Sequence, residues 1–147
     1  YRTRAALAGS VAELGEKELP GFLDREANVL VRYLLFADEA KLPGNGIGGD
    51  SVLKSAFMKH RRKASDGSSL RDFDLATRLF RYRCSYMVYS ASFHGLPSRL
   101  KDRVFDQLDR ALNTRLPSPA FAFLPLAEKK SIRKILRETL SDLPEGW

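Results

Sequence analysis

The residue pattern predicts an all-α domain: a single compact bundle of five to six helices around a central helix at about 69–94. Three observations predict it. Apolar residues recur at i, i+3, i+4 and i+7 through most of the chain, no segment keeps the period-2 alternation of a strand, and Pro and Gly divide the chain into helix-length pieces. The 147 residues are enough for one domain with its own core, read as residues 1–147. With 44% hydrophobic and 29% charged residues, the composition is that of a folded chain.

Residues 2–18 read as a first helix, with Ala5, Leu7, Ala8, Ala12 and Leu14 at helical spacing and Pro20-Gly21 as its stop. Residues 22–39 read as a second. There Leu23, Ala27, Leu30, Val31, Leu34 and Leu35 form a core-facing stripe, with Asp24, Arg25, Arg32, Asp38 and Glu39 mostly off it. KLPGNGIGGD, residues 41–50, is a loop. Asp50 or Ser51 caps a third helix whose apolar side is Val52, Leu53, Ala56 and Phe57. It ends in KHRRK, residues 59–63, and ASDGSS follows as a loop.

Ser69-Leu70-Arg71-Asp72 has the capping-box pattern and opens the central helix, which no Pro or Gly interrupts before Gly95. Twenty-five helical residues would span ~38 Å, so a bend is expected near Arg81–Arg83. Leu75, Leu79, Tyr82, Tyr86, Tyr89 and Phe93 make one stripe on it; Phe73, Ala76, Phe80, Cys84, Met87 and Ala91 make the adjoining one. The second half is apolar all round, which places it at the centre of the bundle. A fifth helix follows at 98–113, a short turn at Ser118-Pro119, and a last helix at 125–141 with Leu126, Ile132, Ile135, Leu136 and Leu140 inward. DLPEGW is a tail.

Several function classes find little support. No run reaches the roughly 18 apolar residues of a membrane span, and the mixed charge of residues 1–19 argues against a secretory signal. A single cysteine excludes an internal disulfide. Gly44, Gly46 and Gly49 have the GxGxxG spacing. A dinucleotide site needs those glycines between a strand and a helix, and here a helix and Pro43 precede them, so an interhelix loop is expected. Cys84 needs a base to act as a nucleophile, and His94 would sit ~15 Å away along a helix. A buried, inert thiol is therefore expected. Two separated histidines and one cysteine make no metal cluster. No cofactor is implied, and the reading leans away from an enzyme.

Charge supplies the first candidate site. The net +7 is regional: residues 51–100 carry ten Lys/Arg against three Asp/Glu, residues 1–50 six against eight, and residues 101–147 nine against seven. Lys59, Arg61, Arg62 and Lys63 are the candidate anion- or nucleic-acid-binding set. The reading that stands ahead of it is a helix C-terminus whose cations complement its dipole. Arg62-Lys63-Ala64-Ser65 also has the form of a basic-directed phosphorylation site. The tyrosine stripe reads first as core packing, and its alternative is a small-ligand or enzyme pocket lined by Tyr82, Tyr86, Tyr89 and His94.

LRDFDLATRLFRYRCSYMVYSASFHGLP, residues 70–97, resembles a pattern of uncharacterised bacterial proteins, LRDFDLxTRLFxYxCSYxxYSxxFxxLP. YLLFADEAKLPG, residues 33–44, is similar to the same proteins. The resemblance implies that this region is the C-terminal piece of a longer protein. It brings no activity with it. Those proteins carry Pro where Arg83 stands and Asp where His94 stands, which implies a helix break at position 83. Together these readings give a non-catalytic helical module with a partner-binding or scaffold role in a larger bacterial protein or complex. A protein partner is expected, and a nucleic acid is the alternative.

Overall fold

Pro20 lies in the first turn of a helix. In the computed structural model, which describes Gly15 and residues 17–147, helix α1 runs Leu19–Leu34 with the proline in its first turn, where its missing N–H costs nothing. The helix expected at 2–18 lies almost wholly outside the described residues. α1 stops at Leu34, short of the expected residue 39, because Phe36 turns left-handed (φ 50°). Its N–H and that of Ala37 then return to the Tyr33 and Arg32 carbonyls, 3.2 and 2.9 Å, in a Schellman ending. Glycine is the usual residue at such a position. Phe36 stacks its ring on Phe80 at 5.9 Å, a contact glycine would lack.

Helix α2, Ser51–Lys59, starts as expected: Asp50 accepts the N–H groups of Val52 and Leu53 at 2.7 and 2.9 Å. Its orientation departs from the pattern. Val52 and Leu53 are 75% and 71% exposed, Ala56 is exposed too, and α2 buries no residue fully. Only the Phe57 edge faces inward, onto Phe73, Phe80 and Tyr86.

The central helix at 69–94 does not form. The capping box at its start does: Ser69 Oγ accepts from Arg71 N–H at 3.0 Å, and Asp72 Oδ2 from Ser69 N–H at 2.9 Å. The chain then doubles back. Phe73 and Phe80 form an isolated antiparallel bridge with rings stacked at 5.7 Å, and Leu75 N–H donates to Arg78 O at 2.8 Å across the turn. Asp74 accepts from Ala76 N–H and Thr77 Oγ1, and Leu75 sits at φ 62°. A short acidic side chain has thus taken donors that a helix would use. Further on, Ser85 caps a 3-10 turn at Tyr86–Tyr89, and Ser90 caps α3, a single turn at Ala91–His94. Each cap begins a new element and breaks the old one. The expected interior position holds in part: Cys84 and Val88 are fully buried and Phe93 nearly so, but Met87 and Ala91, expected inward beside them, are exposed.

Helices α4, Ser98–Ala111, and α5, Leu126–Thr139, follow their apolar stripes, with a 3-10 turn at Pro119–Phe121 between them. Leu23, Ala27, Val31 and Leu34 of α1 share one core with Leu100, Val104, Phe105 and Leu108 of α4 and Ile132, Ile135 and Leu136 of α5. One assignment on α5 fails, and a residue that the pattern did not single out is buried. Leu126, expected inward, is 51% exposed, while Lys129 is 1% exposed and burial depresses its ammonium's pKa. The tail packs back: Trp147 Nε1 donates to Phe105 O at 3.2 Å. The described residues form an all-α bundle with no sheet.

Candidate functional site

Cys84 lies at the centre of the core, and burial pushes its thiol up to about 12. A thiol so disfavoured as thiolate is a poor nucleophile at neutral pH.

The four candidate pocket residues face four different sets of partners. Tyr86 meets Phe57 and Phe80 edge-on, and the Arg71 guanidinium lies 4.6 Å from its ring and 4.7 Å from that of Phe57. Arg71 Nη1 also donates to Phe57 O at 3.0 Å, tying α2 to the turn region. Tyr82 lies under Arg81. Tyr89 shares a 2.6 Å hydrogen bond with Thr139 Oγ1, and burial, its largest influence, raises it to about 12. His94 Nδ1 is 2.5 Å from Asp142 Oδ2, which also receives Lys101 Nζ at 3.1 Å. An Asp–His pair orients an imidazole for base work, but no hydroxyl or thiol is bonded to this one among the described residues. The structure does not bring the four residues around one cavity.

The KHRRK run is divided in the same way. Arg61 pairs with Asp72 at 3.4 Å. Arg62 stacks 4.7 Å from the Tyr89 ring and donates to the last carbonyl of α5, Thr139 O, at 3.4 Å. Lys59 and Lys63 are exposed and have no ionic partner among the described residues. So two of the four cations serve the fold and two face solvent. The glycine loop is likewise structural. Gly46 has φ 68°, and a Cβ there would clash with Leu75 O, while Ile47 N–H donates to that same oxygen at 2.9 Å. The loop is a close-packed flank of the 72–81 turn.

Two surface hollows touch none of the tyrosines. One, about 420 Å³, lies on α2 among Ser51, Val52, Ser55, Ala56 and Lys59. The other, about 490 Å³, lies on α5 among Lys130, Arg133, Lys134, Arg137 and Glu138. Sequence reasoning passed over the second. Its signal was Lys130, Lys134 and Arg137 at i, i+4 and i+7, the spacing of one helix ridge.

Among the described residues no three His, Cys, Asp or Glu side chains gather as metal ligands, and no helix is long and apolar enough to cross a membrane. Comparison with protein-family models, with curated proteins and with solved structures finds no match to this chain.

Proposed function

We propose that the chain is a non-catalytic helical module of a larger bacterial protein, and that α2 is its docking element. One observation carries the reading. α2 is held to the body along its Phe57 edge and directs Val52, Leu53 and Ala56 into solvent. A soluble domain gains nothing by presenting a Val–Leu pair on a helix it has already capped and anchored.

The occupant we assign is a short apolar segment of another protein with acidic residues at one end. Lys59 rims the hollow at the C-terminal end of the face, with exposed Lys63 beyond it, so a carboxylate there is complementary. A second copy of the chain fits less well. Nine residues give a face ~13 Å long, small against the roughly 1,200–2,000 Å² of a stable dimer.

Affinity capture with the wild-type chain, Leu53→Asp and Lys59→Glu tests it. The expected result is a captured protein that is lost with Leu53→Asp, weakened by Lys59→Glu and found to carry an acidic–apolar segment. Identical captured sets from wild type and Leu53→Asp would sink the reading, as would a dimer in sedimentation that Leu53→Asp dissolves.

A further inference from the structure

The outward ridge of α5 is a second feature that the fold leaves unexplained. Lys130, Lys134 and Arg137 stand one turn apart, with Arg133 beside them and the 490 Å³ hollow between. Like charges at this spacing oppose helix formation, so intramolecular partners are the first place to look for compensation. Arg133 Nη1 lies 2.5 Å from Asp109 Oδ1, an ion pair without hydrogen-bond alignment. Lys134 Nζ is 2.8 Å from Asp66 Oδ2. Glu138, the one acid in the lining, already accepts Ser65 N–H at 2.6 Å and Ser65 Oγ at 3.2 Å. Lys130 and Arg137 have no ionic partner among the described residues and are exposed.

The Ser65 and Asp66 contacts do more than neutralise charge. They pin the 64–68 loop against this flank of α5.

We propose that this ridge binds the phosphodiester backbone of a nucleic acid, without sequence preference, through Lys130 and Arg137, which flank the Lys134–Asp66 pair. Three features of the site favour that ligand. The hollow is lined only by charged side chains, whereas an interfacial membrane site needs apolar residues to insert. It is open, with no cradle of backbone N–H groups, which suits a linear polyanion better than one enclosed phosphate. The ridge from Lys130 to Arg137 covers about 10 Å of helix axis, the length of about three phosphates of one duplex strand at ~3.4 Å each. No aromatic or amide side chain lines the hollow to read a base edge.

Fluorescence anisotropy of short labelled DNA and RNA duplexes across a salt series tests the proposal. The wild-type affinity is expected to fall linearly in log–log form with salt. Lys130→Ala/Arg137→Ala should flatten the slope by about 2, near 0.9 per lost phosphate contact. Both side chains are exposed, and Lys130→Gln/Arg137→Gln serves as a second pair with better helix retention. Three results would overturn it: no binding at low salt, a slope unchanged in both double variants, or tighter retention on phosphatidylserine vesicles than on either duplex. Leu53→Asp should leave the slope untouched, so failure here is separable from failure of α2 as a docking element.

Discussion

Glu128 holds Arg83 by both its backbone and its side chain. Its Oε1 accepts the Arg83 N–H at 2.8 Å, and Oε2 lies 2.6 Å from Arg83 Nη2. Arg78 adds a second cation at 3.5 Å, and the two members of the main pair are only 12% and 15% exposed. One carboxylate thus fastens the first turn of α5 to the segment where a helix was expected.

Glu128→Ala should therefore destabilise strongly, by roughly 3 kcal/mol, because a peptide N–H and a largely buried guanidinium both lose their acceptor. Glu128→Gln keeps an acceptor for the N–H and should cost less. Arg83→Ala also keeps the N–H bond and should be milder than Glu128→Ala. Urea denaturation of the three variants checks the order; Arg83→Ala matching or exceeding Glu128→Ala would show that the backbone bond contributes little.

The buried thiol makes stability fall in alkali. The Cys84 thiol titrates near 9.0 when unfolded and at about 12 in the native state. Its contribution is fully present below pH 9 and is lost as pH rises through 12, because only the unfolded chain can ionise it. Tyr89, raised from 10.0 to about 12, adds to the same decline. Cys84→Ala should flatten this alkaline limb, and Cys84→Ser should cost roughly 1–3 kcal/mol at neutral pH if its hydroxyl finds no partner. Native-state thiol labelling should be slow. Fast labelling, with an alkaline limb unaltered in Cys84→Ala, would count against the sealed core.

The acid side depends on Asp142. The His94 hydrogen bond first, and that of Lys101 second, hold its carboxyl at about 2 against an ordinary 3.8. A depressed carboxylate contributes stability above pH 3.8 and loses it as pH falls through 2. Asp142→Asn should thus be less stable at neutral pH and show a shallower loss between pH 4 and pH 2. Stepwise acid titration followed by circular dichroism reads the difference, and coincident acid limbs for the two proteins would rule the contribution out.

The legibility of the chain follows the range of the interactions that decide each element. α1, α4 and α5 were legible because their stripes need only residues three or four apart, and Asp50 announced the start of α2. The 70–94 stretch was not. Phe73 and Phe80 are seven apart, which suits two turns of helix as well as two arms of a turn. The choice is made by Glu128 and by Leu34, whose carbonyl accepts Ser85 N–H at 2.7 Å. Neither is near in sequence. Asp74, Ser85 and Ser90 were the local hints, since such side chains cap and turn more readily than they continue a helix. At the candidate sites, the exposure of Lys59 and Lys63 fitted their sequence setting. The stacking of Arg62 on Tyr89 required knowing that a loop and a 3-10 turn meet.

The route by which Arg83 and Ser85 find their partners also orders events in time. Their amides bond to groups 45 and 51 residues away, on α5 and at the end of α1. Closure over such separations is slow relative to the growth of a local helix. Until α1 and α5 have assembled, the periodicity of residues 70–94 favours the helical form that the native state rejects, a conflict between local and global preference. The 72–85 segment is then expected to settle late in folding. Loss of the Glu128 contact should consequently speed unfolding and leave the refolding rate nearly unchanged in the Glu128→Ala variant.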